Sequence, residues 1–424
     1  MNSSMQKLRS WPLSLAALAA YCLVPHIALA APTGGTNCSQ SDVAEFQVSK
    51  RGPLRLESVV CDAASGLGGQ LSPDGISMAA YGSGAQDPVS SVEISRLTAP
   101  PVRVDVGSLL TAPASIPIVV WSSGSRFIWA ARREVVQPSH FFQTGLVPIQ
   151  VSPAGLVKAL PTLHSAAGPM DRLYWLNGQG LGLAAFGTNG DYYRPQHTDE
   201  NPTYSIVDLT KGETLDSLSY SALKTLIDRE KPRNSFATAS LLSASKGTNG
   251  HAVVLFGAAP ESWIVWTQGR GTRLVHNVVD VSKGQDFVLT PDANSVLVKW
   301  RLVVSTVQRE HSPSEIQGSP VDGTLVSLIS LKTGKSQWAV NARVTANFPR
   351  VICPPVIRND GLYALVGLPA NGGEVGIALV DMRGGRTLQV LHSGSDKSSN
   401  IEAMGFFNRG VWVRSAGRTA RYLF

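Results

Sequence analysis

Apolar and polar positions along the chain alternate in short β-type runs, each preceded by a cluster of turn-forming Gly, Asp, Asn or Ser. The combination recurs seven times. It is seen at Pro73-Asp74-Gly75 before ISMAAYG, Ser123-Gly124 before SRFIWAA, Asn177-Gly178 before QGLGLAAFG and Asn249-Gly250 before HAVVLFG. The remaining copies are Asp292-Ala293-Asn294 before SVLVKW, Asp360-Gly361 before LYALVG and Arg409-Gly410 before VWVRSA. The mean repeat is about 56 residues, within the range of supersecondary repeats. A second β-run follows each copy, at 92–97, 146–152, 204–212, 263–271, 325–334, 376–385 and 420–424. Further runs precede several turns (IVVWSS, RLYWLN, DFVLTP), and RTLQVLH after Gly385 supplies a fourth. Four antiparallel strands in each of seven units predict an all-β fold, a seven-bladed β-propeller whose blades bury one another's faces.

The seventh unit reaches Phe424 after its third strand. The missing fourth is expected from Phe46 to Val60 (FQVSKRGPLRLESVV), so that 46–60 completes the last blade and leaves no open sheet edge. One segment departs from the β pattern. In 214–230 (TLDSLSYSALKTLIDRE), Leu215, Leu218, Leu223, Leu226 and Ile227 recur at helical spacing, Asp216 can cap the start and Pro232 ends it. This predicts a short helical insertion packed on the third blade.

Composition sharpens this picture. The chain has 424 residues, 43% hydrophobic and 16% charged, with 40 Gly and 26 Pro. A charged fraction below the roughly 25% of ordinary domains excludes a disordered chain. Two tight turns per unit account for the Gly, Asp and Asn.

Residues 1–30 have the order of a secretory signal: Lys7 and Arg9, an apolar stretch from Leu13 to Val24, and Ala28-Leu29-Ala30 as a cleavage site. A mature chain starting at Ala31 is expected to be exported, periplasmic or extracellular, with no membrane span after cleavage. Loss of two basic groups lowers the net charge from +7 to +5. With Lys50-Arg51 and Arg132-Arg133 as its only adjacent basic pairs, the mature chain lacks a phosphate-tracking stripe, and nucleic acid is not expected as a partner. In an oxidising compartment, Cys38 and Cys61 are expected to form a disulfide, with Cys353 a buried thiol in Val351-Ile352-Cys353. The cysteines show no C-x-x-C spacing, and neither a metal nor a cofactor is expected.

Leu71-Ser72-Pro73-Asp74-Gly75 and the strand–turn segments SIVDLTKGE, SLISLKTGK and ALVDMRGGR resemble the repeats of TolB-like propellers and of the N-terminal propeller of the prolyl-oligopeptidase family. The resemblance covers about 70–424. It implies the propeller architecture and, as one alternative, a ring related to or working with a serine peptidase whose catalytic domain is not in this chain. The chain itself holds no G-x-S-x-G and no H-E-x-x-H. Ser122 to Trp129 is similar to the Asp-box of sialidase propellers but lacks its Asp, and a glycan-cleaving ring would need paired carboxylates facing its channel.

If the blades have the usual strand order, connections between second and third strands gather on one face, and three of these are long. They hold His140, Phe141 and Phe142 in 137–144; Asp191, Tyr192, Tyr193, Arg194, His197, Asp199 and Glu200 in 187–202; and Arg309, Glu310 and His311 in 305–324. Long loops on a rigid scaffold carry binding residues, and Tyr and Arg serve as interface anchors. The sequence therefore points to a non-catalytic binding or scaffolding module with a protein or peptide partner.

Overall fold

Each turn cluster folds the chain back on itself, and the apolar runs on either side pair as hairpins. In the computed structural model these hairpins form seven antiparallel four-stranded blades in sequence order, a seven-bladed β-propeller. The structure describes residues 33–34, 38–48, 52–61, 70–81, 91–96, 99–105, 120–122, 124–134, 145–164, 170–176, 180–186, 203–230, 239–259, 262–276, 284–300, 324–341, 354–369, 375–392, 401–415 and 417–424. They belong to the compact unit Pro32–Phe424. No helix among them is long and apolar enough to cross a membrane.

Blade one runs from Gln70–Leu71 to Ala99–Asp105, and blade two from Val120–Trp121 to Val157–Ala159. The outer strand of blade two is interrupted: Pro161 has no N–H to donate, and pairing resumes at Leu163–His164. Blades three, four, five and six span Met170–Ser219, Ser240–His276, Gly284–Asn341 and Val356–His392. Second and third strands are the most buried among the described residues, as in Ser295–Trp300 and Gly410–Ser415, where every residue is buried. Fourth strands are exposed or alternate, as in Val157–Ala159 and Gly271–His276. First strands of neighbouring blades lie against one another, Ser240–Lys246 beside Gly284–Leu289 for example, so they surround the axis.

Blade seven is closed by the N-terminal segment. Arg55–Cys61 pairs antiparallel with Arg418–Leu423, and Thr33–Gly34 adds a short parallel edge outside it. The closing strand is thus confined to the end of the expected 46–60. The residues before it form a helix, Gln40–Glu45, started by a capping box between Ser39 and Asp42. Phe46 and Leu54 are fully buried. Gln389 of blade six accepts from Leu54 N (2.8 Å) and donates to Leu54 O (3.1 Å), as a neighbouring strand would. Burial keeps the Tyr422 hydroxyl protonated far above its usual range, and it donates to Phe46 O (3.1 Å). Cys38 and Cys61 form the expected disulfide, with 5.2 Å between Cα atoms. Cys353 lies outside the described residues.

The helical insertion expected near 214–230 is present, but it begins later than the spacing of the leucines implies. Glu213–Ser219 is the fourth strand of blade three, and the helix occupies only Tyr220–Glu230. A bulge at Ile206/Val207 lets Thr214 and Asp216 pair with the third strand, so strand pairing overrides the helical spacing of Leu215 and Leu218. Asp216 does not cap the helix. Its Oδ2 accepts from Gly269 N of blade four (2.8 Å), while Ser219 Oγ accepts from Ala222 N (3.3 Å) at the helix start. Leu223 and Ile227 bury into a cluster that includes Leu183 and Ile206 of blade three and Val254 and Phe256 of blade four.

The described apolar clusters repeat this arrangement, each drawing on two adjacent blades. Ile94 shares a cluster with Ile128, Trp263 with Val298, Val326 with Ala378, and Leu379 with Val413. The ring is held by its seams.

The Cys38→Ser/Cys61→Ser variant should lose about 3 kcal/mol, the loop-closure value for a cross-link of this separation. A denaturant titration reads this as a lowered midpoint.

Candidate functional site

The strand order fixes two faces. First-to-second and third-to-fourth turns emerge on one, the turn face; second-to-third connections and links between blades emerge on the other, the loop face. The connections that carry the sequence-derived candidates span Glu134 to Gly145, Phe186 to Thr203 and Trp300 to Thr324, all joining second to third strands. Their ends therefore lie on the loop face of blades two, three and five. His140, Phe141, Phe142, Asp191, Tyr192, Tyr193, Arg194, His197, Asp199, Glu200, Arg309, Glu310 and His311 themselves lie outside the described residues.

Beneath the connection of blade five is a feature that motif reasoning missed. Asp286, just after a bulge in the first strand, pairs across to Lys299 in the second strand. The carboxylate Oδ2 and ammonium Nζ are 3.4 Å apart, with side chains 24% and 10% exposed. Burial pushes the Asp286 carboxyl above its ordinary value, and Lys299 only partly offsets this. Beside the pair, Trp300 Nε1 donates to Ser327 Oγ (3.0 Å), and Phe287 packs edge-on against Trp263 of blade four. The Trp263 Nε1 is buried and has no hydrogen-bond partner among the described residues. A charge within the otherwise apolar SVLVKW was the available signal.

The turn face is built differently. Ser72, Ser122 and Thr290 each accept from an N–H across their turn, and Asp74, Asp292 and Asp360 accept from the N–H two residues on. Burial alone would raise Asp292, but bonds from Thr290 and Asn294 bring it below its usual range; the Arg358 guanidinium does the same for Asp360. Arg358 also lies over the Tyr363 and Phe424 rings, 4.4 and 4.9 Å from their centroids.

In two turns the left-handed residue is not Gly: Ser125 and Ala293 each lie at φ 55°. Both hold the place that Gly75 has in blade one: the N–H closes the turn on the carbonyl three residues back, Ser125 N on Ser122 O (3.0 Å) and Ala293 N on Thr290 O (2.8 Å). Ser125 Oγ also accepts from Asp74 N of blade one (3.1 Å). With Asn408 N donating to Pro73 O (2.8 Å), the inner turns touch from blade to blade.

No protein-family model and no curated protein sequence matches the chain. Among solved structures, the WD40 domain of Toxoplasma gondii coronin is similar over 89% of this chain and 88% of that chain, with 11% identity and a TM-score of 0.51. Chaetomium thermophilum Raptor is similar over 90% of this chain but 30% of its own, with 10% identity and a TM-score of 0.51. The β-propeller domain of Cps50 (Swd1) from Myceliophteria thermophila is covered in full by 88% of this chain, with 13% identity and a TM-score of 0.46. The likeness is one of fold. At this identity it shows the propeller fold and no activity.

Two pairs of substitutions check this account. Gly75 (φ +77°) and Gly250 (φ +85°) share one conformation, but a Cβ on Gly75 would sit 2.8 Å from Phe407, whereas nothing lies within 4 Å at Gly250. Gly250→Ala should cost about 1 kcal/mol for the left-handed backbone, and Gly75→Ala clearly more, both read from denaturation midpoints. The second pair tests Asp286. Its raised value means that its contribution is favourable below the ordinary carboxylate range and is lost as pH rises through the raised value. Lys299→Met should extend that loss to higher pH, and Asp286→Asn should abolish it, in urea midpoints measured between about pH 4 and pH 8.

Proposed function

We propose that the chain is an exported β-propeller, mature from Ala31, which acts as a non-catalytic binding or scaffolding module for a protein or peptide. The observation that carries this reading is topological: the three long second-to-third connections of blades two, three and five all arise on the loop face. Their sequences carry aromatic, Arg and His residues, and the strands they join are paired within rigid blades. The Cys38–Cys61 disulfide supports export, because such bonds persist in oxidising compartments.

A second reading rests on the turns that resemble TolB-like and prolyl-oligopeptidase-type propellers. In it, the ring works beside a separately encoded serine peptidase. A neighbouring reading frame with a G-x-S-x-G hydrolase favours that alternative.

The exported protein should begin at Ala31 by N-terminal sequencing. Used as bait in extract from its source, the mature chain should retain a partner, and the Tyr192→Ala/Arg194→Ala variant should retain less than about a tenth as much, since such residues are typical hot spots. Turnover of a peptide or glycan by the purified chain would overturn the non-catalytic reading.

A further inference from the structure

The third-to-fourth turns form the outer part of the turn face, and in four consecutive blades they carry exposed cations. Blade three supplies Lys211, blade four Arg270, blade five Lys332 and Lys335, and blade six Arg383 and Arg386. The same turns also carry the carboxylates of Asp208, Glu213 and Asp381, so the six cations leave a surplus of three. Asp208 accepts from Thr210 and Lys211 N–H groups, and Asp381 Oδ1 from Arg383 N. Glu213 reaches Lys211 at 4.0 Å, but both side chains are more than 60% exposed, so the pair neutralises little. The others have no ion-pair partner among the described residues. Backbone hydrogen bonds such as Gly212 N to Asp208 O, Gly334 N to Ser330 O and Gly385 N to Asp381 O hold the turns in place. The result is a fixed basic arc over blades three to six.

We propose that this arc binds an extended acidic polypeptide segment, a proposal that rests on the reading of the ring as a binding module. The inner turns of the same face place Asp74, Asp292 and Asp360 among Arg126, Arg358 and Arg409, with Arg358 paired to Asp360, so their charges balance and the basic surplus is confined to the outer arc. An anionic bilayer, flat and wider than the ring, would cover the balanced inner turns as well and gain only at the arc. A strand-like acidic segment follows the arc alone. Single-stranded nucleic acid would gain from stacking platforms, and the exposed positions of these turns carry no aromatic side chain.

The test measures binding of labelled decaglutamate, oligothymidine, and phosphatidylcholine vesicles with and without phosphatidylglycerol to the full chain. Decaglutamate should bind saturably and more weakly as salt rises. Arg270→Glu/Lys332→Glu should weaken it about tenfold. Lys224→Glu/Arg229→Glu, on the exposed side of the helix Tyr220–Glu230, makes the same change in net charge and should leave binding within about twofold, with thermal midpoints of both variants near wild type. Equal losses from both pairs, absence of saturable decaglutamate binding, or arc-dependent binding of only the vesicles or oligothymidine would each overturn the proposal. If the arc pair fails to matter while Tyr192→Ala/Arg194→Ala still abolishes partner retention, the arc falls and the binding-module reading stands. Turnover by the wild-type chain has the opposite consequence.

Discussion

A ring of sheets is stable only if its two ends meet, and everything else in this propeller depends on that junction. The described core clusters each draw on two blades, so no blade has a complete core of its own. Opening one seam would expose an apolar face on each side and an unpaired edge in blade seven. The closing strand Arg55–Cys61 removes that edge, and the contacts around it pin it in place. Gln389 imitates a strand toward Leu54, Tyr422 donates to Phe46, and Arg418 binds both Asp42 (3.0 Å) and Glu45 (2.6 Å) of the N-terminal helix. These partners are separated by more than 300 residues in sequence, so the loop-closure entropy of joining them is large and is offset only collectively.

The seam between blades seven and one is also unusually polar. Arg414 and Arg421 are almost fully buried there, next to Leu71, Met78, Phe407 and Trp412. Arg421 pairs with Glu57 of the closing strand at 3.2 Å and lies over the Phe407 ring. Buried ions add little net stability compared with apolar residues of the same volume, but separating one from its partner is costly. A one-residue slip of the closing strand would move Glu57 to the opposite face and strip Arg421 of its carboxylate. Apolar packing closes the ring, and these charges make one register better than its neighbours.

The seven repeats, their second and third strands and the origin of the closing strand were legible, because each rests on local periodicity and turn chemistry. What was not legible depends on a neighbour in space. Leu215 and Leu218 fit a helix as well as a strand until the third strand of blade three is placed beside them. Ser125 Oγ accepts from Asp74 N of the neighbouring blade, and nothing in its own segment says so. Asp286 and Lys299 look like isolated charges in apolar runs until the first and second strands of blade five are put in register. The long connections with His140, Tyr192 or Arg309 were found for the opposite reason: length and unusual composition are local properties.

The basic arc shows the same limit in the function of the molecule. A search for charge clusters along the chain finds only isolated basic pairs, since Lys211, Arg270, Lys332 and Arg383 are each separated by roughly one repeat. The propeller converts that spacing into proximity by returning equivalent turns to one face. Any residue type favoured at one turn position therefore becomes a surface property when several units share it. The two faces differ in what they present. On the turn face, short turns locked by Asp, Ser and Thr side chains fix their charges and suit recognition of a simple repeated chemistry, such as a row of carboxylates. On the loop face, long connections of mixed aromatic and charged composition suit recognition of one particular shape. On the proposed reading, the two surfaces lie on opposite faces, and partners on each would not compete, which is the physical requirement of a scaffold.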